Sequence, residues 1–519
     1  MASDSYTSST YWETLQITRQ DVEYLHTYLF ENETPLTSHE LVAIFVTERV
    51  RAERLAEQNR RQAGGRQYLP KETYQAGENI VIPALNWKHG KVAATRAGQN
   101  PEIGAFDVLT VEFEDGSQRL FAANLAQHAL NDQPASVEEA GFDADIIFKE
   151  HGGSLEKKLE QAFAAEGEVV RIAGRWFPRA LLIDVNVGHL NLAEAVLDMS
   201  GGEPLPTSAL LKEVALPEGV NPKLAEFSLN YALQEDDRFD EVGPAGQVLW
   251  CLRRLEPETV REVPAVLRYN DMEYDRAALT PQMVALEQQL DDELTPADFD
   301  SQSDAKDATI SLIFPHLRAG TLPLSPRVSP LFPTAYESPR VRFTLVDGKT
   351  KQKMPGWVVR DFGYVYGLRE WYKANDLIPG SNVIIKRSPI PGEVIIEAQA
   401  YRAKDWVRTA IIGADGGIVF AMLKQSISAA FNDRMVFAIP SPEAVDQLWK
   451  QDTKRPFEQL VLNMIRELSK LTPQGHVHAQ ELYSAINIVR RIPPAPLFAL
   501  LASKPEITHV GDLHFRLND

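Results

Sequence analysis

Apolar residues recur at helical spacing, stop at a polar gap, and resume after a Thr-Ser pair, and the chain spells this twice. Residues 23–45 read EYLHTYLFENETPLTSHELVAIF and residues 191–214 read NLAEAVLDMSGGEPLPTSALLKEV. In each, Pro-Leu precedes a Thr-Ser whose hydroxyls sit where they can accept from the unpaired N–H groups of a new helix. The pattern predicts a helix–turn–helix used more than once. The first helix spans 21–30, with Val22, Leu25 and Leu29 on one face. The second spans 38–61 and is apolar in its first half (Leu41, Val42, Ile44, Phe45, Val46). Its second half carries Arg49, Arg51, Arg54, Arg60 and Arg61, and Gly64-Gly65 ends it. Arg49–Glu53 and Glu57–Arg61 have the spacing that lets side chains meet, so this half could lie against phosphate or be a solvated helix tied by its own pairs.

Beyond residue 66 the period changes to two. Runs such as NIVIPAL and FDVLTVEFEDGSQRLFAANL, punctuated by glycines and an Asp115-Gly116 turn, predict five short strands in a small barrel over 66–130. Residues 138–186 give a helix–helix–hairpin pattern, with the hairpin around Ala173-Gly174. Residues 187–257 give the fuller plan, with helices over 190–199 and 207–214 and a third opened by Asn221-Pro222, a cap followed by proline at the first helical position. A hairpin, RFDEVGPAGQVLWCLRRL, follows. Residues 258–337 are acidic and Pro-rich and predict an extended linker with some helix over 280–291. Strand period returns over 338–410, with one helix over 367–374. Residues 411–455 form a mixed connector, and 456–519 repeat helix, helix, helix and hairpin. The expected architecture is α+β and multi-domain: repeated winged-helix units plus two small β-barrels, the first unit being a helix–turn–helix over 17–64.

The length of 519 residues requires several cores. No apolar run is long enough to cross a membrane, and the first residues lack the basic start and apolar centre of a signal peptide, so no membrane partner and a cytoplasmic setting are expected. A single cysteine, Cys251, excludes a disulfide framework and a multi-cysteine zinc site. It alternates inside VLWCL and reads as core. His476 and His478 lack metal-binding spacing and read as capping or surface residues. No phosphate-binding loop, dinucleotide fingerprint or nucleophile elbow is present, so neither a cofactor nor catalysis is expected.

Net charge is −19, which opposes a non-specific coat for nucleic acid. The distribution is uneven. Residues 271–307 hold eleven acids against two bases, while 48–96 hold ten bases against five acids and 340–408 hold thirteen against seven. The later basic zone offers Arg340, Arg342, Lys349, Lys351, Lys353, Arg360, Arg369, Lys373, Lys386 and Arg387, interleaved with Trp357, Tyr364, Tyr366 and Trp371. Cations at phosphate spacing beside aromatics are what a duplex-binding face requires. The bland alternative is a solvated loop beside a barrel whose aromatics are core.

The tandem units resemble HARE-type helix-turn-helix domains, a winged-helix family that includes the N-terminal domain of the RNA polymerase delta subunit. The resemblance rests on Pro204, Leu205, Thr207 and Ser208 at the second-helix start, on Asp236, Arg238 and Phe239 where the hairpin opens, and on Trp250 in the returning strand. It covers 190–256 best, then 140–185, 457–517 and part of 20–62. It implies action in transcription, chromatin or restriction. Residues 340–400, through GWVVRDFGYVYGLREWYKANDLIPGSNVIIKR, are similar to the DNA-binding pseudobarrel of plant transcription factors and restriction-enzyme recognition domains. The first barrel looks like a small SH3-like module.

The expectation is a DNA-associated protein, a transcription regulator or polymerase-associated factor, gripping duplex DNA through the basic barrel and through Arg238, Arg253 and Arg254 of the hairpin (Arg171, Arg175 and Arg179 being the equivalents in 138–186). One rival is a protein-interaction scaffold that engages RNA polymerase or another complex, because the third helices are poor in cations: the helix from Pro222 offers only Lys223, Asn230 and Gln234. The other is a DNA-cleaving restriction component.

Overall fold

The computed structural model describes residues 9–62, 65–85, 87–100, 104–131, 144–217, 219–296, 306–413, 417–452 and 455–518. Gly64, the side chains of Glu57, Arg60 and Arg61, and the turn at 415–416 lie outside the described residues. The chain divides into two compact units, 1–171 with 175–182, and 183–519 with 172–174.

In the first unit, α1 (Ser9–Thr14) and α2 (Arg19–Asn32) lead to a two-residue strand, β1 (Leu36–Thr37), and the long α3 (Ser38–Gln62). Thr37 caps α3: its hydroxyl accepts from Glu40 N–H at 3.1 Å, and the Glu40 carboxylate accepts from Thr37 N–H at 2.7 Å. Five strands follow: β2 (Arg66–Gln67), β3 (Asn79–Ile82), β4 (Lys88–Ala97), β5 (Asp107–Phe113) and β6 (Gln118–Ala123), neighbouring one another in that order. Tyr68, just after β2, donates to the Ala122 carbonyl on β6 at 2.6 Å, which curls the sheet around a core of Ile80, Val92, Leu109 and Val111. Then come α4 (Ala144–Glu166), β7 (Val169–Ile172) and β8 (Arg175–Pro178).

The helix–turn–helix at 17–64 and the partial unit at 138–186 are therefore one body, not two. β1 pairs antiparallel with β8, and Leu25, Leu29, Leu41 and Phe45 share a core with Leu155, Leu159, Phe163 and Trp176. Neither half could bury its apolar stripe alone, and the five-stranded sheet is an insertion between α3 and α4.

The second unit opens with the same order: α5 (Val187–Met199), β9 (Leu205–Pro206), α6 (Thr207–Leu210), α7 (Pro222–Gln234), β10 (Phe239–Glu241) and β11 (Leu249–Leu252). Asn221 caps α7 by accepting from Lys223 N–H, with Pro222 at the first position. In the β10–β11 turn a Cβ on Gly243 would sit 1.9 Å from the Gln247 carbonyl oxygen, so only glycine fits.

Residues 258–337 are not a linker. They contain α8 (Glu258–Arg261), α9 (Pro281–Leu290), β12 (Asp307–Ser311), α10 (Phe314–Ala319) and β13 (Thr321–Pro323). With β14 (Arg340–Asp347), β15 (Lys353–Val359), β16 (Tyr364–Tyr366), β17 (Asn382–Arg387) and β18 (Glu393–Glu397) they build a seven-stranded sheet ordered β12-β17-β18-β14-β15-β16-β13. Proline is tolerated in β13 because that strand lies at the sheet's edge. One helix, α11 (Arg369–Ala374), covers the inner face, where Trp371 and Tyr372 join Val341, Leu345, Val383 and Ile396.

Nor does the sheet domain run to residue 410. β19 (Ala400–Ile412) leaves it and pairs with β20 (Ile418–Ala429) as a long two-stranded ribbon, flanked by β21 (Phe437–Ala438). After α12 (Pro442–Asp452) the third copy of the helical plan follows: α13 (Phe457–Ser469), β22 (Val477–His478), α14 (Ala479–Val489), α15 (Pro494–Ser503), β23 (Ile507–Gly511) and β24 (His514–Leu517). All three copies order their strands first–third–second: β1-β8-β7, β9-β11-β10 and β22-β24-β23. Among the described residues no helix is long and apolar enough to cross a membrane.

Candidate nucleic-acid interface

The strand register decides where the basic zone points, because alternate residues share a face. Lys386, Ile395, Val346 and Lys353 lie in one row across β17, β18, β14 and β15. Glu393 and Glu397 flank Ile395 two residues away on the same face. Each takes a lysine: Lys353 bonds Glu393 and Lys386 bonds Glu397, both at 2.6 Å. The row is charge-balanced instead of positive.

Arg340 and Arg342 sit on that face further along β14, and there β10, β11 and α8 cover the sheet through Val242, Cys251 and Val260 packed on Trp357, Val359 and Tyr364. Arg340 is only 16% exposed, and its guanidinium bonds Asp240, lies 3.8 Å from Glu256 and donates to the Val260 carbonyl. Arg342 lies over the Trp357 ring and 3.6 Å from Glu203. Burial lowers its pKa, and its Nε has no partner. These two arginines lie between the second helical copy and the sheet.

The hairpin cations are occupied as well. Arg238 bonds Asp236 and Glu194, Arg254 bonds Asp198, and Arg253 lies 3.6 Å from Asp237. In the first unit Arg171 bonds Glu160, and Arg175 donates to the Pro35 carbonyl. Arg49 and Arg51 of α3 bond Asp21 and Glu48. Lys373 bonds Glu370. Among the described residues, Lys349, Lys351, Arg360, Arg369 and Arg387 stay exposed without a carboxylate. They do not share one surface: Lys349 and Lys351 are at the β14–β15 tip, Arg360 is past the opposite end of β15 and donates to the Ser338 carbonyl, Arg387 ends β17, and Arg369 donates to the Ala319 carbonyl.

Of the polar residues on the third helix of the second copy, Lys223 and Gln234 are exposed. Asn230 of α7 is buried, its Oδ1 accepting from Thr207 Oγ1 and Trp250 Nε1. α15 is buried along Pro494–Ala499 and at Leu501. His478 caps α14, accepting from Gln480 N–H. Cys251 is a core residue, and its burial pushes the thiol up to about 11. Among the described residues no cluster of His, Cys, Asp or Glu could hold a metal.

Sequence reasoning missed the ribbon. Trp406 pairs with Lys424, Lys404 with Ser426 and Arg408 with Met422, so these six share one face. Arg408 turns to Glu481 and the Asp433 carbonyl. At the other end of that face Ala410 and Phe420 are buried in the core of the third helical copy, which anchors the ribbon. Trp406 stands 66% exposed between exposed Lys404 and Lys424, with Arg402 on the irregularity between Ala400 and Ala403. Among the described residues none of Arg402, Lys404 and Lys424 has a carboxylate partner. Asp405 points to the opposite face and accepts from Tyr401 at 2.8 Å. The alternation Lys404-x-Trp406 and the facing Lys424 were present in the sequence, but their pairing depends on a hairpin whose second strand lay in the segment read as a connector.

No family model matches the chain, and neither a curated protein nor a solved structure matches it.

Proposed function

We propose that this chain is a DNA-associated protein whose three helix–hairpin copies are winged helices used as architecture, and whose β19–β20 ribbon makes the contact with duplex DNA. The observation that carries the reading is Trp406, an exposed indole flanked by lysines without carboxylates on an anchored two-stranded ribbon. A ribbon of this kind fits a groove of the duplex, the lysines neutralise phosphate, and an aromatic can wedge or stack at a base step. Roughly 150 Å² of the indole is exposed, which at about 25 cal/mol/Å² makes about 4 kcal/mol available to a partner. A setting in transcription or polymerase association is what the HARE resemblance adds.

The test is fluorescence anisotropy with a labelled duplex across a salt series. Contacts to three phosphates predict a log–log slope of about −3, and Trp406→Ala weakens binding at least about tenfold. Absence of binding at low salt, or an affinity indifferent to Trp406→Ala and Lys404→Ala/Lys424→Ala, contradicts the proposal. A second reading, a scaffold for RNA polymerase or another protein complex, is favoured by the buried α15 and the carboxylate-paired cations. Trp406 would then be a protein hot spot, and a polymerase would co-purify without any DNA shift.

A further inference from the structure

Within the second unit lies a cleft of ≈ 780 Å³ lined by five arginines, Arg268, Arg318, Arg369, Arg490 and Arg491, against one carboxylate, Asp446. Its volume falls in the range of small-molecule sites, about 300–1,000 Å³. The segment 264–272, the end of α10, the start of α11, α12 and the chain leaving α14 converge on it, and its cations come from four of these five places, α12 supplying Asp446 and Trp449.

The arginines divide by what already holds them. Arg318 is bonded to Asp446. Arg491 is fully buried, with Asp292 and Glu293 behind its guanidinium, yet its Nε has no partner. At the rim, Arg268 donates from Nε to the Val263 carbonyl at 3.1 Å, and Arg369 donates from one Nη to the Ala319 carbonyl at 3.3 Å. Both keep further donors for a ligand. Two guanidiniums that engage only carbonyls, next to a buried arginine with an unsatisfied N–H, form a field that calls for an anion with several acceptor oxygens. The same cleft carries two aromatic rings, Tyr269 and Trp449, and the indole is fixed by donation to the Ile488 carbonyl at 2.7 Å.

We propose that this cleft binds a nucleoside phosphate, with Arg268 and Arg369 on the phosphate oxygens and Trp449 and Tyr269 beside the base. The ligand is either a free nucleotide or the phosphorylated end of a strand, since both present the same chemistry. The proposal is independent of the ribbon.

The test is calorimetric titration of the full chain with a nucleoside triphosphate, the corresponding nucleoside, pyrophosphate, and an oligonucleotide with or without a 5′ phosphate. The nucleotide binds, and the nucleoside binds at least tenfold more weakly. Arg268→Ala/Arg369→Ala lowers nucleotide affinity at least tenfold at unchanged Tm, while Arg387→Ala, outside the cleft, leaves it unchanged. Trp449→Phe weakens the nucleotide but not pyrophosphate. Binding confined to the 5′-phosphorylated strand, and lost in the double variant, assigns the site to a strand end. No heat with any phosphate, or affinity unchanged in the double variant, overturns the proposal; pyrophosphate binding as tightly as the nucleotide overturns the role given to the rings.

Discussion

Replacing Arg340 by methionine separates a structural lock from a DNA contact. Methionine keeps the apolar length of the side chain and deletes the guanidinium. The Asp240 carboxylate, 9% exposed, then loses its cation. Removing one partner of a buried ion pair costs about 3–5 kcal/mol, because the remaining charge stays desolvated. Unfolding entropy of about 2.1 cal/mol/K per residue over the roughly 340 residues of the second unit gives about 0.7 kcal/mol/K, so its Tm drops by about 4–7 °C. Differential scanning calorimetry on the full chain reads this directly. Arg387→Met, at an exposed arginine bonded only to the Pro330 carbonyl, serves as control and shifts Tm by less than about 1 °C. If Arg340→Met leaves Tm in place and instead lowers duplex affinity, the reasoning about the covered face is wrong.

Three further outcomes follow from buried groups. Arg491→Met strips the cation from Asp292 and Glu293 and destabilises the second unit by about 3–5 kcal/mol in calorimetry. Glu256 is pushed up to about 8 by burial and then by the Asp240 charge. A carboxyl whose folded pKa is raised contributes stability that is full below its unfolded value of 4.5 and is lost as pH rises through about 8, so Glu256→Gln should gain in Tm over wild type steadily between pH 5 and pH 9. Gly380 has φ +90 and a Cβ there would meet Val436 Cα at 2.5 Å, so Gly380→Ala costs at least about 1–3 kcal/mol by thermal unfolding.

How much of this was legible in the sequence depended on distance along the chain. The caps at Thr37 and at Asn221-Pro222, the hairpin at 238–252 and the helices of the third copy are local, and spacing reveals them. The union of 17–64 with 138–186 is not local, since Leu41 and Phe163 share one core although an inserted sheet separates them along the chain. Composition also misled over 271–307. That acidic stretch reads as part of an extended linker, yet Glu287, Asp291, Asp292 and Glu293 are the anionic halves of pairs with Arg276, Arg327 and Arg491, the last nearly two hundred residues away. Likewise the excess of bases over acids at 340–408 is real, but one-dimensional counting does not see that Glu393 and Glu397 stand between lysines, or that Asp240 and Glu203 arrive from another part of the chain. Proline in the 321–334 stretch read as a linker signal, whereas Leu322, Val328, Leu331 and Phe332 are core and the edge strand has no need of every N–H.

The most direct measurement is photo-crosslinking of the full chain to a bromodeoxyuridine-substituted duplex, with the attached peptide identified by mass spectrometry. Attachment is expected within residues 400–429, centred on Trp406 and lost in Trp406→Ala. Attachment to the sheet strands at 340–397 or to the hairpin at 238–254, with none on the ribbon, contradicts it.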